Sequence, residues 1–318
     1  MAAAGGWRMM AGMTLRIGVL GRGAWGGTLA GLWQGSGHRV TLWSRRDGGT
    51  ALPLLTSSDL VVVAVSMAGV EPLARSLAPH WPRELPLLSC SKGIDLDGLC
   101  TASRLWQRWL PAVPIAVLSG PNLAQELAQG LPAASVLGSD HGSLASRLQQ
   151  ELRVPNLRLY TNGDPIGTEV AGALKNVMAV AAGISDGLGL GANAKASLLC
   201  RGLAEMGTVL EALGGQSATL YGLAGLGDLL ATANSALSRN YRFGGLLADG
   251  CDEARALARI DATVEGPRTA RAALALAARH GWRLPICEQV VQLLDGSIDA
   301  GQAVRALMER DPRPEANP

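Results

Sequence analysis

The run Leu15-Arg16-Ile17-Gly18-Val19-Leu20 passes directly into Gly21-Arg22-Gly23-Ala24-Trp25-Gly26, and a helical stretch, Gly27–Trp33, follows. A β-rich run that breaks on three spaced glycines and reopens as a helix is the first turn of a parallel α/β sheet. Each glycine has its own task. Gly21 permits the tight turn, Gly23 lacks a Cβ and lets the backbone approach a pyrophosphate, and Gly26 lets helix and strand pack closely. The helix start adds free N–H groups and the positive end of its dipole. The unit from Leu15 to about Trp33 therefore reads as a binding site for a nicotinamide dinucleotide.

The pattern downstream agrees. Short β-rich runs recur at Arg39–Trp43, Leu60–Val65, Leu85–Ser89, Ile115–Leu118, Ala133–Leu137 and Leu157–Tyr160, separated by helical stretches. Several are apolar without alternation, as strands covered on both faces are. Alternating β and helix predicts a Rossmann-like, doubly wound, mostly parallel sheet. After Pro165 the β signal ends. Ala192–Leu213, Cys251–Ile260, Pro267–His280 and Pro285–Leu294 carry helical spacing. The expected layout is a dinucleotide-binding α/β domain over 14–163 and an all-helical substrate domain over 164–310, with flexible tails at 1–13 and 311–318. The turn signal Asn162-Gly163-Asp164-Pro165 marks the junction.

The second strand ends in Ser44-Arg45-Arg46. A carboxylate at this place would hydrogen-bond the ribose 2′-hydroxyl of NAD and repel a 2′-phosphate. Guanidinium groups can clamp that phosphate with paired bonds. Arg45 and Arg46 thus predict NADPH over NADH, with Asp47 as a nearby counter-argument.

Composition narrows the partners. Net charge is +2, and Lys and Arg are scattered, so no basic stripe suits nucleic acid. The five cysteines are odd in number and widely spaced, which points to neither a disulfide framework nor zinc. The four histidines form no metal-binding spacing. No run approaches the ~18 apolar residues that span a membrane. These features predict a soluble cytoplasmic protein whose anionic partner is a small molecule.

Four stretches carry candidate chemistry. Ser89-Cys90-Ser91-Lys92-Gly93 and Ser119-Gly120-Pro121-Asn122 each follow a predicted strand, where doubly wound sheets collect ligands. Lys92 is then placed to meet an anion or a carbonyl oxygen. Lys175 lies in Ala171-Gly172-Ala173-Leu174-Lys175-Asn176-Val177-Met178, among small and apolar neighbours. Burial lowers a lysine's pKa and makes it an acid or base usable near neutrality. Asp228 closes the loop Gly222-Leu223-Ala224-Gly225-Leu226-Gly227 and would balance that charge. Ser238 reads as a helix N-cap. With Arg239 and Asn240 it offers a hydroxyl, a fork of donors, an amide and a helix N-terminus, a set that suits a phosphate monoester.

Together these residues resemble the bacterial-type NAD(P)-dependent glycerol-3-phosphate dehydrogenase family. The resemblance runs from Gly18 to about Leu307, through Gly21–Ala30, Ser91–Gly93, Ser119–Pro121, Lys175–Val177, Ser185–Gly187, Gly191–Ala194, Arg201–Met206, Gly225–Asp228, Ser238–Asn240 and Val264–Gly266. It implies reversible hydride transfer between a nicotinamide cofactor and dihydroxyacetone phosphate or sn-glycerol 3-phosphate, in supply of glycerophospholipid synthesis. It implies that Lys175 exchanges the proton and that Lys92 touches cofactor and substrate. Asp228, Ser238, Arg239 and Asn240 would line the substrate pocket, with Gly120 and Asn122 on the opposite wall. Cofactor contacts would come from Ala24, Trp25, Arg45, Ala124, Arg239 and Glu265. A homodimer is common for this build.

Two departures stand out. Only about 15 residues, Arg45 to Asp59, separate the second strand from the third, near the minimum for a parallel crossover. This leads us to expect that a helix and a strand of the family's domain are missing. Asn122 stands where the family usually has Ser or Thr, and its amide can still donate and accept. Two other readings compete: a dehydrogenase of the same build acting on a hydroxy acid or phosphogluconate, and a cofactor-sensing or scaffold protein. The order and number of the motifs argue against the first, and the intact Lys92, Lys175 and Asp228 against the second.

Overall fold

A computed structural model describes residues 14–260 and 262–310 of the chain. The tails expected at 1–13 and 311–318 lie outside the described residues. Seven strands form one sheet in the order β2-β1-β3-β4-β5-β6-β7. They are β1 (Arg16–Leu20), β2 (Arg39–Trp43), β3 (Leu60–Val63), β4 (Leu87–Ser89), β5 (Ile115–Ser119), β6 (Ala133–Gly138) and β7 (Leu157–Asn162). All pairs are parallel except β5 with β6. Every strand read from the sequence is present.

Both faces of the sheet are covered. Along β3, Leu60 and Val62 join one buried cluster with Ile17, Leu29 and Trp33, while Val61 and Val63 join the other with Met67, Leu87 and Trp106. That is why this strand is apolar without alternation. The helices of this part are α1 (Ala24–Gly35), α2 (Leu52–Ser57), α3 (Met67–Leu77), α4 (Ala102–Trp109), α5 (Ala124–Ala128) and α6 (Gly142–Glu151).

Two expectations need correction. Helix α1 starts at Ala24, inside the glycine motif, not at Gly27. The shortened segment after Arg46 holds no strand but keeps a helix, α2, which buries Leu54 and Leu55. Six residues in one and a half turns suffice to carry the chain from β2 over β1 to β3.

The rest of the chain is helical: α7 (Pro165–Gly187), α8 (Gly191–Ala212), α9 (Ser217–Leu220), α10 (Asp228–Ala233), α11 (Arg239–Ala248), α12 (Glu253–Arg259), α13 (Gly266–His280), α14 (Pro285–Leu294) and α15 (Ala300–Met308). Helix α7 is its axis. Asp164 caps it, accepting from Gly167 N at 2.8 Å, with Pro165 at the first helical position. Every residue from Pro165 to Ser185 is buried. A helix apolar on all sides belongs in the middle of a bundle, and α8, α10, α11, α13 and α14 surround it. No helix among the described residues is long and apolar enough to cross a membrane.

Candidate active site

The carboxyl ends of β1 to β5 converge on one edge. Gly21 N donates to Trp43 O at 2.8 Å, Ala64 N to Leu20 O at 2.8 Å and Cys90 N to Val63 O at 2.8 Å, so the loops after β1, β2, β3 and β4 lie side by side. Gly21 has φ +115°, where a side chain is strained, and a Cβ there would lie 2.4 Å from Ala64 O. A Cβ on Gly26 would lie 2.0 Å from Gly21 O. A Cβ on Gly23 would meet no protein atom within 4 Å. The first two glycines thus serve the protein's own packing, while the third faces open space. Helix α1 has no side-chain cap and no acidic residue in its first turn, so its leading N–H groups remain available to an anion. This cradle fits a dinucleotide pyrophosphate.

That division gives a paired expectation. Gly26→Ala is destabilised by about 1–3 kcal/mol through overpacking, with its urea midpoint lowered. Gly23→Ala unfolds like the parent yet binds NADPH at least tenfold more weakly in a fluorescence titration. Normal NADPH affinity in Gly23→Ala would show that the loop does not meet the cofactor.

After β2, Ser44 caps a single 3₁₀ turn, Arg45–Asp47, accepting from Arg46 N at 3.2 Å. Arg45 and Arg46 are exposed on the rim. Asp47 is engaged by Arg22 of the glycine loop, Nη1 to Oδ1 3.2 Å. Ala24 is exposed at the start of α1, and Trp25 is half-buried. Ala124 opens α5, and its carbonyl accepts from Thr28 Oγ1 of α1 at 3.2 Å.

The charged centre lies where the sheet edge meets the helices. Ser91 Oγ donates to Val65 O at 2.8 Å and pins the loop that follows β4. Lys92 then reaches Asp228, Nζ to Oδ2 2.6 Å, and Gly120 O at 3.1 Å. Lys175, from the middle of α7, meets the other oxygen of Asp228 at 3.0 Å. Its Nζ also donates to Thr232 Oγ1 at 2.7 Å, and Thr232 in turn donates to Asp228 Oδ1 at 3.1 Å. One carboxylate, 1% exposed, therefore holds two ammonium groups. The pair is not the solvated-lysine arrangement: Lys175 is 8% exposed.

The electrostatics follow from this geometry. Burial pushes Lys175 down to about 8, with Lys92 and Arg239 acting in the same direction and Asp228 opposing them. Burial alone would raise the Asp228 carboxyl, but the two ammonium groups outweigh it and hold it below its ordinary value. The centre carries one net positive charge and attracts an anion.

Around it, Ser238 caps α11 by accepting from Tyr241 N at 3.2 Å, as its sequence position suggested. Arg239 is exposed beside it. Asn240 is mostly committed within the protein. Its Nδ2 donates to Asn176 Oδ1 at 2.9 Å and its Oδ1 accepts from Gly266 N at 2.9 Å, which leaves one N–H for a ligand. On the facing wall, Asn122 Oδ1 accepts from Ser135 Oγ at 2.9 Å, while its Nδ2 is buried without a protein acceptor among the described residues. Glu265, half-buried, accepts from Met67 N at 3.1 Å and so brings the helical part onto the N-terminus of α3. Burial raises its carboxyl; the Met67 N–H, Arg239 and Arg268 oppose that.

Sequence reasoning missed Thr232 and Asn176 as parts of this network. Thr232 lies four residues after Asp228, one helical turn on, a spacing that offered a signal.

Comparisons with known proteins agree with this geometry. Residues 164–305 match the profile of the NAD-dependent glycerol-3-phosphate dehydrogenase C-terminus, and residues 50–145 match that of the N-terminus. The glycine loop lies upstream of the second match. A protein of Synechococcus sp. (strain RCC307) named glycerol-3-phosphate dehydrogenase [NAD(P)+] is 56% identical over 95% of this chain and 100% of its own length. One of the same name from Trichormus variabilis is 45% identical over 94% of this chain and 98% of its own. The crystal structure of glycerol-3-phosphate dehydrogenase from Coxiella burnetii superposes with TM-score 0.88 at 34% identity, covering 93% of this chain and 99% of that one. A seven-stranded sheet edge carrying a dinucleotide cradle, a buried lysine–aspartate–lysine centre and matches over nearly the whole length lead to one conclusion: the chain belongs to the NAD(P)-dependent glycerol-3-phosphate dehydrogenase family.

Proposed function

We propose that the chain catalyses reversible reduction of dihydroxyacetone phosphate to sn-glycerol 3-phosphate, with Lys175 as the proton donor and NADPH as the preferred cofactor. The observation that carries this reading is the single buried Asp228 shared by Lys92 and Lys175 at the mouth of the sheet. When bound, the nicotinamide supplies a hydride to the ketone carbon. Negative charge then develops on the ketone oxygen, and the two ammonium groups stabilise it. Lys175, with a pKa of about 8, is protonated near neutrality and delivers the proton. In the reverse direction its neutral form accepts one. Asp228 keeps both lysines in place and Thr232 fixes the direction of the Lys175 ammonium. Arg239 and the N-terminus of α11 suit the substrate phosphate, and the free Nδ2 of Asn122 suits a substrate hydroxyl. The reading also entails work in the cytoplasm for glycerophospholipid synthesis.

The test is loss of NADPH absorbance with dihydroxyacetone phosphate, compared with 6-phosphogluconate and simple keto acids. Turnover confined to the triose phosphate is expected. NADPH bound tightly with no turnover on any of the three would overturn the enzymatic reading in favour of a sensor.

Sign matters in the pH dependence. Reduction needs protonated Lys175, so kcat/KM for reduction falls as pH rises through about 8. Oxidation of sn-glycerol 3-phosphate needs the neutral amine and rises through the same region.

The cofactor preference rests on Arg45 and Arg46 being exposed after β2, with Asp47 held by Arg22. A charged hydrogen-bond pair is worth about 1.5–3 kcal/mol. Arg45→Asp should therefore shift the NADPH-to-NADH ratio of kcat/KM by about 10- to 100-fold toward NADH. A parent enzyme that prefers NADH would sink the assignment.

A further inference from the structure

Glu169 lies on α7, six positions before Lys175, and is 5% exposed. Its carboxylate leaves the helical part of the molecule and enters the α/β part. Oε1 accepts from Ser103 N at 2.9 Å and from Ser89 Oγ at 3.4 Å, and Oε2 accepts from Ser103 N at 3.3 Å and from the Ser103 hydroxyl. Ser103 lies in the first turn of α4, where a backbone N–H has no partner in its own helix. Ser89 ends β4, three residues before Lys92. One buried carboxylate therefore ties the helix that carries Lys175 to the strand that leads to Lys92.

We propose that Glu169 is a positioning residue of the active site, which sets the separation of Lys92 and Lys175 by gripping the end of β4 and the N-terminus of α4 from within α7. The inference rests on the reading of Lys175 as the proton donor.

Three observations carry it. First, Lys175 and Asp228 both belong to the helical part, and their 3.0 Å contact is internal to it. The 2.6 Å contact of Lys92 with Asp228 crosses between the two parts, so it depends on how α7 seats against the sheet. Second, the seat is tight just beyond Glu169. A Cβ on Gly172 would lie 2.3 Å from Ser119 Oγ and 3.8 Å from Lys92 Cδ. There is no slack to absorb a shift in one direction, and the Glu169 bonds resist withdrawal in the other. Third, burying a carboxylate is costly unless it is hydrogen-bonded. Burial does raise the Glu169 carboxyl, and the hydroxyls of Ser103, Thr101 and Ser89 and the Ser103 N–H oppose it. Burial also raises the nearby Cys100 thiol, with Arg108 of α4 opposing it. The serine donors and the helix end hold the carboxylate. Glu265 makes a second crossing on α3 and lies against Gly93, next to Lys92, where a Cβ would be 3.4 Å from its Oε2. It holds the outer side of the Lys92 loop, while Glu169 holds the strand and helix beneath it.

The test uses the whole enzyme and reads the pH profile. The charged groups facing Lys175 are Asp228 from α10, Lys92 from the loop after β4 and Arg239 from α11. If Glu169 is lost, Lys92 withdraws and water enters. Both changes remove influences that lower Lys175. In Glu169→Ala, the limb of kcat/KM for reduction should move up from about 8 toward the ordinary lysine range, at ~10.4. A shift of about an ångström costs up to 10²-fold, so kcat falls about 10- to 100-fold. NADPH affinity falls far less than kcat, since the glycine loop is untouched and only the Lys92 contact is weakened. Glu169→Gln keeps one accepting oxygen and restores both the limb and most of the turnover. Should Glu169→Ala fail to fold, Ser89→Ala combined with Ser103→Ala removes two donors while leaving the carboxyl, and moves the limb the same way by less. A folded Glu169→Ala, or failing that the serine pair, with the limb still near 8 and kcat within about twofold overturns the proposal. Failure of the underlying reading looks different: the parent enzyme itself then shows no limb near 8, and Lys175→Ala keeps its turnover.

Discussion

Lys175→Ala should fold, bind NADPH as the parent does and lose kcat by about 10²–10⁴-fold, the range for removal of a positioned general acid. The structure explains why folding survives. Asp228 keeps Lys92 at 2.6 Å when Lys175 is gone, so the buried carboxylate is not left unpaired. The glycine loop shares no contact with the lost side chain. The pH limb near 8 should vanish, because its titrating group is absent. Lys175→Arg gives a sharper version. A guanidinium keeps the charge and the partner but does not release a proton in this pH range, so the variant should remain folded and nearly inactive. Turnover within a few-fold of the parent in either variant would remove Lys175 from the mechanism.

What was readable in advance follows from how each feature is encoded. Strand β3 was legible because both its faces are buried, which writes an unbroken apolar run at Leu60–Val63. The start of β4 was read two residues early, since Leu85 looks like strand; Pro86 lacks an N–H for the ladder, and pairing begins at Leu87. The antiparallel step from β5 to β6 is not written in either strand. Nor does the connection settle it: Gly120 to Pro132, with the five-residue α5, is long enough for a parallel crossover, so only the fold shows the reversal. Lys175 was legible because an ionisable side chain in small, apolar surroundings is costly without a function, Lys92 because it follows a strand end where doubly wound sheets collect ligands, and Asp228 because it closes a glycine-rich loop. Asn240 was legible as a candidate, but its internal bonds were not: only the fold shows its amide bonding Asn176 and Gly266 N. Glu169 was invisible. A single acid in a helix looks ordinary until the α4 N-terminus, 66 residues earlier in the chain, is seen to meet it.

Asp228→Asn should have a large effect of a different kind, because this residue sets the charge of the whole centre. The substitution removes the one counter-charge of two buried or half-buried ammonium groups. Breaking a buried pair by removing one partner costs about 3–5 kcal/mol. The protein has a way to soften that cost: Lys175 can release its proton. Asp228 is the main influence that raises Lys175 against burial, so without it the lysine's pKa drops further below 8. The expected consequences differ by direction of reaction. Reduction at pH 8 requires the protonated amine and should fall by about 10²-fold or more, with partial recovery as pH is lowered. Oxidation of sn-glycerol 3-phosphate uses the neutral amine and should lose less. The lowered urea midpoint should recover at higher pH, where the unpaired lysine is neutral and its burial no longer costs as much. The informative readout is therefore the ratio of forward to reverse turnover across pH. If that ratio and its pH dependence match the parent, the carboxylate does not govern Lys175, and the two short contacts are packing alone.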